Sequence, residues 1–177
     1  AGGRLKFHQP LLFGERVTRT STILKVEEKS GKSGQLVFVT VEHKLTGKSG
    51  LAVTDQQDLV YREAAAPGSI KGPESDAPEP QCSFHRTIFP DEIMLFRYSA
   101  LTMNGHRIHY DLPYARGEEA YPALVVQGPF QATCLVAMAQ RELGGSLATF
   151  DFRGLSPAFA GTALHVCGEK TEGGISV

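Results

Sequence analysis

The sequence predicts an α+β fold in which an antiparallel sheet curls around a central, largely apolar helix. Three observations predict it. Residues 1–63 are β-forming runs cut by Gly/Ser/Lys turns, residues 64–80 form a Pro/Gly/Ser-rich break, and residues 81–177 carry one strongly apolar helical segment followed by further β-like runs. A helix that is apolar on nearly all sides needs cover, and each strand needs one dry face, so a sheet wrapped around the helix satisfies both.

Each element follows from local composition. Arg16–Val26 is dense in Thr, Val and Ile, Leu36–His43 reads LVFVTVEH, and Leu51–Tyr61 closes the series, with KSGKSG and TGKSG as the turns between them. The expected arrangement is a three-stranded antiparallel meander with no helix. Ala64–Glu79, AAAPGSIKGPESDAPE, has little to bury and reads as a linker. Beyond it, Ile93–Thr102 reads as a strand, Asn104–Arg116 as a loop with a helical turn, and Gly128–Leu143 as a helix. That helix carries Phe130, Ala132, Cys134, Leu135, Val136, Ala137, Met138 and Ala139, and burial on most faces is expected. Leu147–Phe152 and Ala163–Glu169 supply further strands of this half, and Ile175–Val177 starts another.

Composition bounds the function classes. With 177 residues, 41% hydrophobic, 21% charged and a formal net charge of -1, the chain reads as soluble and globular. It has no basic block of the kind that tracks nucleic acid. The longest mostly apolar run, Tyr121–Ala139, is broken by Gln127, Gly128, Pro129 and Gln131 and falls short of a membrane span. Cys82, Cys134 and Cys167 are odd in number and widely spaced, which argues against a disulfide framework and for a reducing, cytoplasmic setting. Cys134 reads as a small buried hydrophobe.

The densest chemistry lies in Tyr98–Ala115, YSALTMNGHRIHYDLPYA, where Asn104, His106, His109 and Asp111 crowd one Gly-containing segment. Two imidazoles, an amide and a carboxylate so close together suit a site that moves protons. Each has a plainer reading: His106 facing solvent, Asp111 shaping a turn, Tyr114 and Tyr121 packing. No further His or Cys lies nearby in sequence, so no metal site is expected.

These residues carry a resemblance. YSALTMNGHRIHYDLPYA followed by YPALVVQGPFQATCLVAMA resembles the active-site loop and central helix of the MaoC-like hydratase/dehydratase group, whose domains have the hotdog fold. It is most similar to the double-hotdog branch that includes mesaconyl-CoA and itaconyl-CoA hydratases and 3-hydroxyacyl-thioester dehydratases. Upstream, KFHQPLLFGERVTRTSTI, GQLVFVTVEHKL and DQQDLVYRE resemble the degenerate first hotdog of that branch. The resemblance implies a partial first hotdog over residues 1–63 and a second over residues 81–177. It also implies that the chain is incomplete at both ends, with an apolar groove left open where the first domain's helix should lie.

The group's motif places an Asp, a His five residues later and an Asp two beyond; here those positions hold Asn104, His109 and Asp111. Asn cannot act as a base, so the resemblance assigns proton transfer to His109, with Asn104 orienting by hydrogen bonds and Asp111 orienting His109. The His-Gly that opens the helix in many relatives reads Gln127-Gly128, and Gly128 is the implied donor to the thioester oxygen. Expected substrate contacts are His106, Arg107, Tyr114 and Gln127, and a dicarboxylic acyl group would draw on Arg97, Arg107 or Arg116. The implied reaction is hydration of a 2-enoyl thioester, or its reverse, on coenzyme A or an acyl-carrier protein, with no cofactor beyond the substrate's own coenzyme A and with a homodimer as the assembly. A non-catalytic acyl-thioester-binding or scaffolding module and a hotdog thioesterase are the alternatives.

Overall fold

The computed structural model describes residues 2–31, 34–62, 70, 72 and 80–177. In chain order its elements are β1 (Gly2–Phe7), β2 (Thr18–Gly31), β3 (Gly34–Gly47), β4 (Gly50–Arg62), β5 (Phe84–Ile88), α1 (Glu92–Leu101), a 3₁₀ turn (Arg107–His109), α2 (Leu112–Gly117), α3 (Gly128–Leu143), β6 (Thr149–Arg153), β7 (Leu164–Thr171) and β8 (Gly174–Ser176). They form two compact units, one of residues 1–63 with 146–155 and the other of residues 64–145 with 156–177. Apart from residues 70, 72 and 80, the expected linker lies outside the described residues.

The first unit is one antiparallel sheet in the order β2-β3-β4-β1-β6. The expected meander is its β2-β3-β4 part, and no helix occurs among its described residues. Cross-strand register puts Arg4, Gln56, Glu42, Asp58 and Thr40 on one face, where they bond to one another. Arg4 donates through Nη1 and Nη2 to the two Asp58 carboxylate oxygens at 2.6 and 2.9 Å, Thr40 donates to Asp58 at 2.9 Å, and Gln56 donates to Glu42 at 3.0 Å. Little apolar surface is sequestered here: Ala52 and Phe150 are buried, while Ile23 and Val26 stay 66% and 60% exposed.

The segment Leu147–Phe152, expected in the second half, joins this first sheet as β6, antiparallel to β1. The physical reason is visible at Gly3. A Cβ there would meet the Phe152 ring at 2.5 Å, so the missing side chain makes room for the stacked Phe150–Phe152 pair.

The second unit packs α1, the 3₁₀ turn and α2 around Leu95, Ile108, Ala115, Leu124, Val125, Val126 and Phe159. Ile93–Thr102, expected as a strand, is helical as α1. Its Ile, Phe and Tyr content suggests β structure, but Asp91 caps the helix by accepting the Met94 N–H at 2.7 Å, and Leu95 and Ser99, four apart, form its buried stripe. The short sheet β5-β7-β8 lies against α3. The helix itself has the expected boundaries, yet only Met138 and Ala139 are buried along it. Burial on most faces is not met, because β6 pairs elsewhere and three short strands cover one side of α3 only.

Asp58 reports on the first sheet. Hydrogen bonds from Arg4 hold its carboxyl down at about 2. A folded value below the unfolded one stabilises the fold above about pH 4, and that contribution disappears as pH falls towards 2. Urea midpoints measured across this range should therefore drop for the wild type, and Asp58→Asn should flatten that part of the curve. An unchanged acid slope in the variant would show that the Arg4–Asp58 pair does not anchor the sheet.

Candidate active site

The site is built by the end of α1, the loop that follows it and the start of α3. Helix α1 stops with Met103 in the left-handed region at φ 52°, the Met103 N–H reaching Ala100 O at 3.3 Å and the Asn104 N–H reaching Ser99 O at 2.8 Å. This is the paired C-terminal hydrogen-bond closure of a helix, and it delivers Asn104 to a fixed place. Asn104 Oδ1 then accepts the His106 N–H at 3.1 Å, and Tyr110 OH closes the loop on Gly105 O at 2.8 Å. Asn104 thus shapes the loop that presents the histidines.

His109 is 7% exposed. Its Nδ1 lies 2.7 Å from the Val125 carbonyl oxygen, which can only accept, so Nδ1 carries the proton and Nε2 keeps a lone pair in the neutral ring. Burial pushes the imidazole below its ordinary value; the Val125 carbonyl pulls partly the other way, and nearby His106 lowers it further. The ring is therefore neutral at pH 7, and its unprotonated nitrogen can act as a base. His106 stands edge-on to it, ring centroids 5.6 Å apart, exposed and with Nε2 3.8 Å from a Glu119 oxygen.

The backbone joins this imidazole to α3. The Val125 N–H donates to Ile108 O at 3.0 Å, while Val126 and Ala160 bond Ala158 and Leu124 across an isolated bridge. Three residues after Val125, Gly128 opens α3, where first-turn amides have no partner within the helix. A Cβ at Gly128 would meet nothing within 4 Å, so the space beside that amide is open.

Four expected contacts are placed differently. Asp111 does not hold His109: Oδ1 caps α2 by accepting the Tyr114 N–H at 3.1 Å, and Oδ2 pairs with Arg107 at 2.7 Å. The Arg107 guanidinium, acting first, holds the Asp111 carboxyl below its usual range. Arg107 is in turn paired with Asp111 and stacks 4.1 Å over the Tyr114 ring. Gln127 is 0% exposed, and its Nε2 donates to Leu95 O at 2.8 Å and Ser99 Oγ at 3.0 Å. It ties α1 to the start of α3. Its Oε1 is buried without a partner among the described residues.

Sequence reasoning missed the Val125 carbonyl, which as a backbone group leaves no residue signal, and the Ser99–Gln127 tie. The Pro90-Asp91-Glu92 start signal, a cap before an acidic first turn, was the clue to α1 that placed Ser99 on its inner face. Among the described residues no group of His, Cys, Asp or Glu can hold a metal.

Gln127→Leu, which keeps the volume and removes the tie, should cost about 1 to 2 kcal/mol in urea unfolding. Gln127→Glu, which buries a charge, should cost several times more, roughly 3 to 5 kcal/mol. Equal stability of all three proteins would mean that the tie contributes nothing.

The family model for hydroxyacyl-thioester dehydratase type 2 matches residues 1–160. A mesaconyl-C(4)-CoA hydratase of Chloroflexus aurantiacus is 43% identical over 159 residues, covering 90% of this chain and 56% of that protein. A mitochondrial hydroxyacyl-thioester dehydratase type 2 of Schizosaccharomyces pombe is 30% identical over 197 residues, covering 96% of this chain and 63% of that protein. The chain thus spans less than two thirds of the length of either relative. A Mycobacterium tuberculosis protein described as having a double hotdog fold superposes with a TM-score of 0.63 at 14% identity, covering 98% of this chain and 64% of that one, so the fold is the expected hotdog. With a match over nearly its whole length, this chain belongs to the hydroxyacyl-thioester dehydratase type 2 family.

Proposed function

We propose that the chain carries the chemistry of a hydro-lyase, adding water to a 2-enoyl thioester or removing it from a 3-hydroxyacyl thioester. The observation that carries the reading is His109: buried, neutral and held by the Val125 carbonyl in the tautomer that leaves Nε2 free to take a proton. The family match supports the reaction class, and the Chloroflexus relative's name supports a coenzyme A thioester as substrate.

In hydration, Nε2 takes a proton from water as its oxygen bonds to C3, and the proton then passes to C2 as the enolate collapses to the thioester. Dehydration runs the same steps backwards: Nε2 removes the C2 proton and returns it to the departing C3 hydroxyl. One imidazole serves both transfers, so no second acid or base is required where Asn104 stands. Through either direction the thioester oxygen gains charge, and the Gly128 N–H at the positive end of α3 is the donor assigned to it. One such donor is commonly worth about 3 to 4 kcal/mol in the barrier. Asp111, with both oxygens engaged by Tyr114 and Arg107, supports the loop and not the proton transfer.

His109→Ala should lower kcat for enoyl-CoA hydration by about 10²- to 10⁴-fold with the fold retained. Equal rates in wild type and variant, zero included, would favour the non-catalytic binding module, and release of free thiol would favour a thioesterase. Because burial lowers the His109 value and the neutral form is the working one, the acid limb of kcat/KM should fall below pH 6.5. A limb at or above that pH would mean another group titrates.

Gly128→Ala offers a separate test. The added methyl meets no protein atom within 4 Å, so urea unfolding should be unchanged or slightly improved. The rate of hydration should nevertheless drop, since the methyl occupies the approach to the amide. Undiminished activity would remove Gly128 from the site.

A further inference from the structure

The connection from β1 to β2, residues 8–17, has to cross the ends of β4 and β3, because the sheet order is β2-β3-β4-β1-β6. It is stapled to the β3–β4 turn as it passes. The His8 and Gln9 N–H groups donate to Ala52 O at 2.8 and 3.3 Å, Gln9 Nε2 donates to Leu51 O at 3.1 Å, and the Glu15 carboxylate accepts the Lys48 N–H at 2.7 Å. Between these staples the chain makes a tight turn: the Glu15 N–H reaches Leu12 O at 3.3 Å, Gly14 sits at φ 80°, and Glu15 Oε1 accepts the Leu12 N–H at 2.5 Å. Positive φ at the third residue of such a turn is the type II geometry, and it puts Phe13 and Gly14 at the corner. What this fixed turn displays is apolar. Phe13 is fully exposed, Leu12 is 62% exposed, and Leu11 and Val17 are exposed on either side. Three consecutive exposed apolar residues exceed the scattered single ones that any protein surface carries, and they mark a surface that meets something else.

The same end of the sheet is basic. Lys6 is next to last in β1, Arg16 lies in the connection, Arg19 is second in β2 and Lys48 is in the β3–β4 turn. All four are exposed, and among the described residues none of them is in an ion pair. By register Lys6 shares a face with Thr54, Lys44 and Thr20, so Arg19 falls on the opposite face and positive charge flanks the apolar tip on both sides. The acids at this end are engaged: Glu15 by two backbone amides, Glu42 by Lys44 and Gln56, and Asp55 by Gln57. We propose that this end of the first sheet is a membrane-docking surface, in which Leu11, Leu12 and Phe13 enter the acyl-chain boundary of a bilayer while Lys6, Arg16, Arg19 and Lys48 meet its anionic headgroups. Charge selects this occupant, because cations without protein partners around an apolar tip complement an anionic interface backed by hydrocarbon. Neither a short apolar insertion nor a few cations hold a protein on a bilayer alone, so the two signals together make a reversible contact. The inference is independent of the hydro-lyase reading, whose residues all lie in the second unit.

The test is co-sedimentation of the 177-residue chain with vesicles of phosphatidylcholine alone and with vesicles in which about one quarter is phosphatidylserine. The wild type should bind the anionic vesicles about 10-fold or more tightly than the neutral ones, and raising salt from about 0.1 to 0.5 M should weaken that binding. Phe13→Ser should lower binding to the anionic vesicles about 10- to 100-fold. Its urea midpoint should stay that of the wild type, because the ring is fully exposed in the fold. Arg16→Glu combined with Lys48→Glu should remove the preference for anionic lipid. Val26→Ser, at an exposed apolar residue elsewhere on the sheet, should bind as the wild type does. No binding, equal binding to the two kinds of vesicle, binding that survives Phe13→Ser or binding lost in Val26→Ser would overturn the assignment. A dimer in vesicle-free buffer that Phe13→Ser converts to a monomer would overturn it too, by showing that a second copy covers the tip.

Discussion

The hydrogen bond from His109 Nδ1 to the Val125 carbonyl, 2.7 Å long, is the constraint on which the candidate site depends. It settles three things together. It fixes the tautomer, because a carbonyl accepts and never donates. It fixes the ring's orientation, since the imidazole is only 7% exposed. It also ties the loop to the strand-like segment that runs directly into α3, so the base and the helix start are held by one short stretch of backbone. A carboxylate in place of the carbonyl would raise the imidazole's proton affinity far more; a neutral acceptor in a buried setting leaves it low.

The side chains around His109 divide the remaining work. Asn104 holds the loop by accepting the His106 amide, Asp111 caps α2 and pins Arg107, and Gln127 draws α1 against the start of α3. These are positioning roles. The buried Gln127 Oε1 remains unpaired because its amide is turned by the Leu95 carbonyl: the opposite rotamer would set two acceptors against each other.

The two units contrast in how they are stabilised. The second has a contiguous apolar cluster from Leu95 to Phe159, and its site is assembled on that cluster's rim. The first depends on ladder hydrogen bonds and on a lattice of polar side chains centred on Asp58, with Ala52 and Phe150 as its buried apolar residues. Ile23, Val26 and Tyr61 of this sheet stay exposed.

Much of this was legible in the residues. Alternating Thr/Val/Ile runs between Gly-containing turns fix β2, β3 and β4, because side-chain period and turn chemistry are local. The bounds of α3, from Gly128 after Gln127 to Leu143 before Gly144, are equally local, since Pro129 suits a first turn and Gly144 adopts the left-handed closure at φ 68°. The crowding of Asn104, His106, His109 and Asp111 marked the right loop. Tertiary structure decided what those residues do. Partners far along the chain are invisible to local pattern: β6 pairs antiparallel with β1, the Val125 carbonyl accepts the His109 Nδ1–H, and the Leu95 carbonyl accepts from Gln127. Residue type sets what a group is able to do; the packed backbone chooses which lone pairs and protons are engaged, and at His109 it engages Nδ1.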